Sequence, residues 1–324
     1  MVDYTPRVLI VGLGSIGRRH LSNLQKLNCE VSICRRTVES AEATRREFKV
    51  PAFASLAGAV SWNPNAVLIA NPTSEHLKVA FWAVEHNCHV FIEKPLSHSL
   101  EAVDTFLRIA EERQLSVAVG CNLRFHPALE SIHNAVFNGH IGRLLTARAE
   151  VGQYLPDWHP EADYRQEYSA RAELGGGVLL TLIHELDYIC WIGGEVLESI
   201  GRCAKVSDLE INVEDVAEII CRHVSGALTS IHMDFLDRAY NRRSRWIGEL
   251  GTIEWIWGEP VRLIRCGGNQ EILWHDPTFD CNDTHVMELR DFLDCIKSGR
   301  QPRTTGWEAK RVLEIALALA GQRY

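Results

Sequence analysis

A glycine-rich turn near the start of the chain constrains the fold more than any other feature. Val8–Val11 has the length and composition of a buried strand, and it runs directly into Gly12-Leu13-Gly14-Ser15-Ile16-Gly17, which a helix-like segment follows. Glycine at three of these positions turns the chain off the strand, lets its backbone approach a pyrophosphate and lets the helix pack closely on the sheet. Free N–H groups and the dipole of that helix then favour phosphate. The spacing predicts a βαβ unit that binds a dinucleotide through Gly12, Gly14, Ser15, Ile16 and Gly17, and an ordinary tight turn is the alternative.

Two arginines stand where an NAD site has an acidic residue. Such sites place a carboxylate about twenty residues beyond the glycines, where it accepts hydrogen bonds from the ribose. Here the sequence reads Ile33-Cys34-Arg35-Arg36, with no carboxylate. Arg35 and Arg36 can pair with a 2′-phosphate, which favours NADP over NAD as the cofactor. Solvated loop charges are the alternative interpretation.

Composition excludes several classes of protein. The 324-residue chain is 46% hydrophobic and 23% charged, which is typical of a globular protein with room for two domains. Its net charge of −8 argues against a nucleic-acid partner. Neither a signal-peptide pattern nor a long apolar span is present, so we expect a cytoplasmic protein without a membrane partner. The ten cysteines are dispersed without C-x-x-C spacing, so we expect free thiols and no metal site.

The order of apolar runs divides the chain into two regions with different secondary-structure patterns. Over residues 1–122, strand-like runs alternate with helix-like segments, which predicts a doubly wound parallel sheet in a Rossmann domain. From Leu144 onwards, strand-like stretches follow one another, which predicts a large, mostly antiparallel open sheet. Further helices are indicated at Pro127–Asn138, Val178–Ile192 and Glu308–Ala320. The fold class is therefore α/β, with a substrate-binding and oligomerisation domain over 123–324 whose C-terminal helix could pack back on the first domain.

Three separated motifs together resemble the Gfo/Idh/MocA family, the relatives of glucose-fructose oxidoreductase and inositol dehydrogenase. They are the glycine turn, the tripeptide Glu93-Lys94-Pro95, and Gly175-Gly176-Gly177 followed by His184 and Asp187. The resemblance extends over the whole chain. It implies a Rossmann domain joined to an α/β domain with a large open sheet, a site in the cleft between them, and association through sheet faces.

Lys94 is the first candidate catalytic residue. The tripeptide lies where a parallel strand is predicted to end, which is the edge at which such sheets bind ligands. The resemblance assigns Lys94 the task of donating to a substrate hydroxyl and places it, with Glu93, beside the cofactor. It also implies a cis bond before Pro95. A surface lysine near a turn is the alternative.

His184 is the second candidate catalytic residue. Thr181, His184 and Asp187 would share one face of a predicted helix. Oxidation of a secondary alcohol needs a base, and histidine titrates near neutral pH. Inositol-dehydrogenase-like members place an aspartate one turn earlier, where this chain has Leu180 and Thr181, so a buried structural histidine stays open. Asp187 either orients His184 or forms a structural pair.

Three further segments are predicted to contact ligands. The resemblance places Asn71, Pro72, Thr73 and His76 along the nicotinamide half of the cofactor, and Thr73 or Ser74 could cap the helix that follows. Asn122 and Arg124 would enter the cleft from the domain junction. The aromatic and polar side chains that suit a carbohydrate-like ring, or an anionic group on it, are Tyr154, Trp158, Tyr164, Arg165 and Thr181. The alternative is that these aromatic residues only pack a long surface loop.

The sequence thus predicts an NAD(P)-dependent oxidoreductase that transfers a hydride to or from a secondary alcohol or ketone of a sugar, sugar derivative or cyclitol. A non-catalytic NADP-binding sensor and an oxidoreductive glycosidase-type member are the alternatives. We also expect a homodimer or homotetramer. Trp246, Trp255 and Trp257 on the open sheet would leave apolar surface that a monomer must expose.

Overall fold

The chain divides into two compact units in a computed structural model that describes residues 5–320. The first unit combines residues 5–122 with 282–310, and the second combines 123–281 with 311–320. The first unit is therefore discontinuous in sequence. Residues 282–310, which the sequence analysis assigned to the second domain of 123–324, pack instead with the first unit.

The first unit alternates strands and helices. Its strands are β1 (Arg7–Val11), β2 (Glu30–Cys34), β3 (Ala52–Phe53), β4 (Ala66–Ile69), β5 (His89–Glu93) and β6 (Val117–Gly120). The α-helices between them are α1 (Ser15–Lys26), α2 (Val38–Phe48), α3 (Leu56–Ala59), α4 (His76–Glu85) and α5 (Val103–Glu112), with 3-10 turns at Val60–Trp62 and Thr73–Glu75. All six strands pair in parallel in the order β3-β2-β1-β4-β5-β6. The predicted doubly wound parallel sheet is confirmed.

The second unit is built on an eight-stranded sheet. Its strands are β7 (Leu144–Gly152), β8 (Val196–Ala204), β9 (Val216–His223), β10 (Leu228–Asp234), β11 (Asn241–Gly248), β12 (Gly251–Ile256), β13 (Val261–Arg265) and β14 (Gln270–Trp274). Its α-helices are α6 (Pro127–Phe137), α7 (Val178–Thr181) and α8 (His184–Gly193), with 3-10 turns at Asn122–Phe125, Leu155–Asp157, Tyr164–Gln166, Tyr168–Ala170 and Ala172–Leu174. The last two helices are α9 (Asn282–Ser298) in the first unit and α10 (Gly306–Ala320), which runs through the boundary at residue 310.

Strand pairing in the second sheet is antiparallel except between β7 and β10, in the order β14-β13-β12-β11-β7-β10-β9-β8. The predicted mostly antiparallel open sheet is confirmed. Burial alternates along β9 because α7 and α8 pack on one face only. The opposite face carries exposed apolar side chains, namely Ile200, Ile220, Leu228, Ile256 and Ile272.

Two expectations about this unit need correction. Trp246 and Trp255 are 0% and 1% exposed, so they fill the core rather than the open face. The helix predicted over Val178–Ile192 is two helices, because the chain leaves helical geometry at Leu182, where φ is −99° and ψ is 27°. Thr181 therefore lies on a different helix from His184.

The helix α9 was not predicted, and it completes the core of the first unit. Its Leu289, Phe292 and Leu293 are buried in the same apolar cluster as Leu21 and Leu24 of α1.

None of the helices in residues 5–320 is long and apolar enough to cross a membrane. All ten cysteines lie in this range and are free thiols, as expected.

Candidate active site

The glycine turn has the geometry that phosphate binding requires. Gly12 has a φ of +99°, and a Cβ there would lie 2.5 Å from the Ala70 carbonyl carbon. A Cβ on Gly17 would lie 2.3 Å from the Gly12 carbonyl oxygen, so helix α1 packs directly on the turn. At Gly14, by contrast, a Cβ would meet nothing within 4 Å. Two glycines serve the packing of the fold, and the third leaves open space in front of the helix.

The N-terminus of α1 keeps its backbone donors available. Gly14 is the N-cap residue and offers no capping side chain, and the first turn, which begins with Ser15 and Ile16, contains no acidic residue. The first N–H groups of the helix thus lie beside the open space at Gly14, an arrangement that favours an anion. Arg35 and Arg36 follow the end of β2 at the same edge of the sheet, and Arg36 is exposed.

The loop after β4 begins at this edge of the sheet and contains a buried polar atom. Asn71 Oδ1 is buried and has no hydrogen-bond partner among residues 5–320. Pro72 and the buried Thr73 continue the loop, and α4 begins at His76 with Glu75 as N-cap and no side-chain cap. The expected cap by Thr73 or Ser74 is therefore absent at the start of α4.

His76 braces two loops rather than facing outwards. Its Nε2 lies 3.0 Å from the Asn71 carbonyl oxygen and its Nδ1 lies 3.0 Å from the Pro95 carbonyl oxygen. It is 1% exposed, and burial lowers its pKa. The imidazole therefore ties the loop after β4 to the loop after β5.

The tripeptide Glu93-Lys94-Pro95 ends β5, and the Lys94–Pro95 peptide is cis. Glu93 is buried, its Oε1 lies 2.5 Å from His20 Nε2, and its Oε2 accepts a hydrogen bond from the Lys94 N–H. Burial would raise the pKa of Glu93, but the hydrogen bond and charge of His20, with the charges of His285 and Lys94, hold it below its usual value. An anionic Glu93 thus fixes the backbone from which the half-buried Lys94 side chain extends.

In the second unit, the three glycines allow segments of backbone to approach closely. A Cβ on Gly176 would lie 2.2 Å from the Tyr168 carbonyl oxygen, and Gly177, with a φ of +106°, contacts the Glu214 carboxylate. Helix α7 with Thr181 follows at once, and His184 begins α8. Thr181 and His184 are 1% and 9% exposed.

Asp187 forms a structural pair, one of the two alternatives that the sequence left open. Arg124 Nε and Nη2 donate to the two Asp187 carboxylate oxygens at 3.0 and 2.8 Å. Arg124 is 3% exposed, and a buried guanidinium requires a carboxylate partner, which Asp187 supplies.

The loop that carries Tyr154, Trp158 and Tyr164 packs against other residues of the second unit. Trp158 donates to the Gln153 carbonyl oxygen and packs edge-on against Phe235, and Arg238 covers one face of Tyr154 at 3.6 Å. The Tyr164 hydroxyl accepts from the Glu210 N–H.

Two more of the expected contacts have partners in their own units. Arg165 is bound to Asp163 and Glu210, and these carboxylates raise its pKa. In the first unit, the Asn122 amide donates to Thr284 Oγ1 at 2.8 Å.

Two sequence models of one protein family match consecutive parts of the chain. The model of an oxidoreductase family with an NAD-binding Rossmann fold, Gfo/Idh/MocA, matches residues 6–121, and the C-terminal domain of that family matches residues 129–254. The chain belongs to the Gfo/Idh/MocA family. The resemblance inferred from the three motifs is confirmed.

Individual members of the Gfo/Idh/MocA family match over nearly the whole chain. The chain is 28% identical to myo-inositol 2-dehydrogenase of Thermotoga maritima, over 96% of this chain and 94% of that protein. It is 25% identical to UDP-N-acetylglucosamine 3-dehydrogenase of Acidithiobacillus ferrooxidans, over 96% and 95%. The fold is similar to that of levoglucosan dehydrogenase solved with NADH and levoglucosan, with a TM-score of 0.87, 18% identity and 98% coverage of both chains.

Proposed function

We propose that this protein is an NAD(P)-dependent oxidoreductase that transfers a hydride between the nicotinamide cofactor and a secondary alcohol or ketone of a sugar, sugar derivative or cyclitol. One observation carries the proposal. The glycine turn, Arg35, the Asn71 loop and Lys94 follow the carboxyl ends of β1, β2, β4 and β5, at one edge of a sheet whose strand order reverses beside β1. Parallel sheets bind nucleotides at that edge. The names of the sugar and inositol dehydrogenases among its relatives support the substrate class.

The residues present fit a dinucleotide. The space at Gly14 and the uncapped N-terminus of α1 suit a pyrophosphate, with Ser15, Ile16 and Gly17 forming the first turn. The buried Asn71 Oδ1 supplies an acceptor for a cofactor donor, with Pro72 and Thr73 beside it. When bound, the nicotinamide ring accepts or supplies the hydride.

In this proposal, the Lys94 ammonium donates a hydrogen bond to the reacting oxygen of the substrate. Glu93 fixes the backbone of Lys94 through the Lys94 N–H, so the ammonium extends from a defined position at the sheet edge. An ammonium that donates to a substrate hydroxyl stabilises the alkoxide character that develops as hydride leaves. Glu93 itself is buried and serves as a positioning residue.

His184 takes the hydroxyl proton during oxidation and returns it during reduction. Its side chain is mostly buried at the start of α8, one turn before Asp187, which accepts two hydrogen bonds from Arg124. Among the expected substrate contacts, we retain Thr181, Tyr154, Trp158, Tyr164 and Asn122. We do not retain Arg124 and Arg165, because both are paired with carboxylates.

The test compares His184→Asn and Lys94→Met with the unchanged chain on a sugar or cyclitol found by screening. Each variant should lower turnover by roughly 10²–10⁴-fold, because His184→Asn removes the base and Lys94→Met removes the hydrogen-bond donor to the reacting oxygen. Cofactor affinity, measured by fluorescence titration, should change little for His184→Asn. Wild-type turnover in both variants would refute the mechanism, and tight cofactor binding without any turnover by the unchanged chain would favour the sensor alternative.

We also infer a preference for NADP. Arg35 and Arg36 follow β2, and no carboxylate stands there to meet a free ribose. Changing both to alanine should weaken NADP binding by about tenfold or more and leave NAD binding nearly unchanged, because charge-assisted bonds to a 2′-phosphate have no counterpart in NAD. Calorimetric titration with both cofactors measures this. Equal losses, or tighter binding of NAD by the unchanged chain, would contradict the preference.

The open face of the eight-stranded sheet supports self-association as a homodimer or homotetramer. Ile200 and Ile220 are paired across β8 and β9 and are 63% and 42% exposed. Ile220→Glu should reduce the mass measured by light scattering at micromolar concentration. Phe137→Glu, at an 81% exposed position on α6, is the matched control. A monomeric unchanged chain would contradict the proposal.

Ten free thiols also support a reducing compartment, the cytoplasm, as the site of action.

A further inference from the structure

Two histidines and two glutamates meet in the interior of the first unit. His20 comes from α1, Glu93 from the end of β5, and His285 and Glu288 from one face of α9. Each offers a ligand atom, and these atoms all lie within 4.8 Å of one another. The four residues are 0%, 7%, 8% and 2% exposed, so the cluster is closed to solvent.

Hydrogen bonds within the protein do not satisfy this cluster. His20 Nε2 lies 2.5 Å from Glu93 Oε1, and His285 Nδ1 lies 2.9 Å from Glu288 Oε1. His20 Nδ1 and Glu288 Oε2 are buried with no hydrogen-bond partner among residues 5–320. Buried polar atoms are nearly always partnered, so the two unpaired atoms in one cluster indicate a missing ligand.

We infer that His20, Glu93, His285 and Glu288 bind one divalent transition-metal ion of the zinc class. Two imidazole nitrogens and two carboxylate oxygens form a donor set that suits Zn²⁺, whereas Mg²⁺ and Ca²⁺ prefer oxygen alone. Bonds of about 2.0–2.1 Å in a tetrahedron place ligand atoms about 3.3 Å apart. The present ligand atoms all lie within 4.8 Å of one another, and the two hydrogen-bonded pairs, at 2.5 and 2.9 Å, would move apart to that spacing when the ion binds.

Four protein ligands make this a structural site. Structural zinc sites are closed, whereas catalytic sites keep one position for water or substrate. Here the ion would join α1, α9 and the end of β5, and Glu93 also receives the Lys94 N–H. The ion would hold the strand end that carries Lys94 without touching substrate.

The experiment uses the full chain after treatment with a chelator. We expect one equivalent of Zn²⁺ by elemental analysis after re-exposure and desalting, a raised melting temperature, and a tetrahedral Co²⁺ absorption spectrum on substitution. Glu288→Gln keeps the shape of the side chain and should weaken Zn²⁺ binding by about 100-fold or more.

The matched control is His232→Asn in the second unit. His232 also lies between two carboxylates, those of Glu218 and Asp234, but it is about one-third exposed. This variant should bind Zn²⁺ like the unchanged chain. The inference is overturned if the unchanged chain binds no stoichiometric metal and shows no Co²⁺ spectrum, as a buried bridging water would predict. It is also overturned if His232→Asn, rather than Glu288→Gln, abolishes binding. The Co²⁺ spectrum of the unchanged chain decides the matter even if Glu288→Gln does not fold.

Discussion

Buried charges are arranged differently in the two units. In the second unit, Arg124 and Asp187 form a closed two-point pair, and Arg242 binds Glu185 in the same manner at 2.7 and 3.3 Å. In the first unit, two histidines and two glutamates share one site, and two of their buried atoms have no hydrogen-bond partner in the described part of the chain. Buried charges that are fully paired with each other have a structural role. Polar groups that stay unsatisfied are where a ligand should be sought.

The largest effect on stability is expected when one partner of a paired, buried charge is removed. Arg124→Met should reduce the free energy of unfolding by about 3–5 kcal/mol, because Asp187 would be left as a buried charge without its partner. Chemical denaturation measures this.

A double variant is the control for that measurement. Arg124→Met with Asp187→Leu should recover most of the loss, since both charges are then gone. If the single variant is as stable as the unchanged chain, the pair is not structural, and Arg124 returns as a candidate for substrate binding.

The glycine turn allows a similar test with a smaller effect. Gly17→Ala should destabilise the protein by about 1–3 kcal/mol, because its Cβ would meet the Gly12 carbonyl oxygen. Gly14→Ala should leave stability nearly unchanged and weaken NADP binding by about tenfold, because it fills only the space in front of α1. Thermal melts with and without cofactor separate the two effects. Equal destabilisation by both variants would show that Gly14 also serves packing.

The smallest expected effect depends on pH. The hydrogen bond to Asp234, with that to Glu218 and the charges of both carboxylates, raises the pKa of His232 to about 9 against partial burial. Its contribution is fully present below about pH 6.5 and is lost as pH rises through 9. With exposure taken into account, we expect His232→Asn to cost roughly 1 kcal/mol at pH 6 and nearly nothing at pH 10. A difference that stays constant with pH would exclude the ion pairs as its source.

The sequence predicted what depends on local pattern. The strand before Gly12, the arginines after β2 and the tripeptide after β5 all lie at the predicted strand ends. In such cases a strand, a turn and a helix start are adjacent in the chain, so spacing alone is informative.

The sequence could not predict partners that are distant in the chain. Arg124 and Asp187 are 63 residues apart, and no local sequence pattern around either residue predicts that they pair. The break between α7 and α8 separates Thr181 from His184, although helical periodicity continues through it. The cluster around Glu93 was missed for the same reason, since it needs α9. Two local signals were present: His20 lies on the buried side of α1, and His285 and Glu288 are three residues apart in the sequence.

The discontinuity of the first unit affects how the protein is made. When residues 1–122 have emerged from the ribosome, every strand of the parallel sheet has been made. Helix α9, which supplies Leu289, Phe292 and Leu293 to the core beside that sheet, has not yet been translated. Chains generally fold domain by domain from the N-terminus during synthesis. Here the first unit is complete only after residues 282–310 have been made. The nascent sheet therefore keeps an apolar surface uncovered while the whole of 123–281 is translated, and a chaperone that binds such surfaces would have its longest opportunity during that interval.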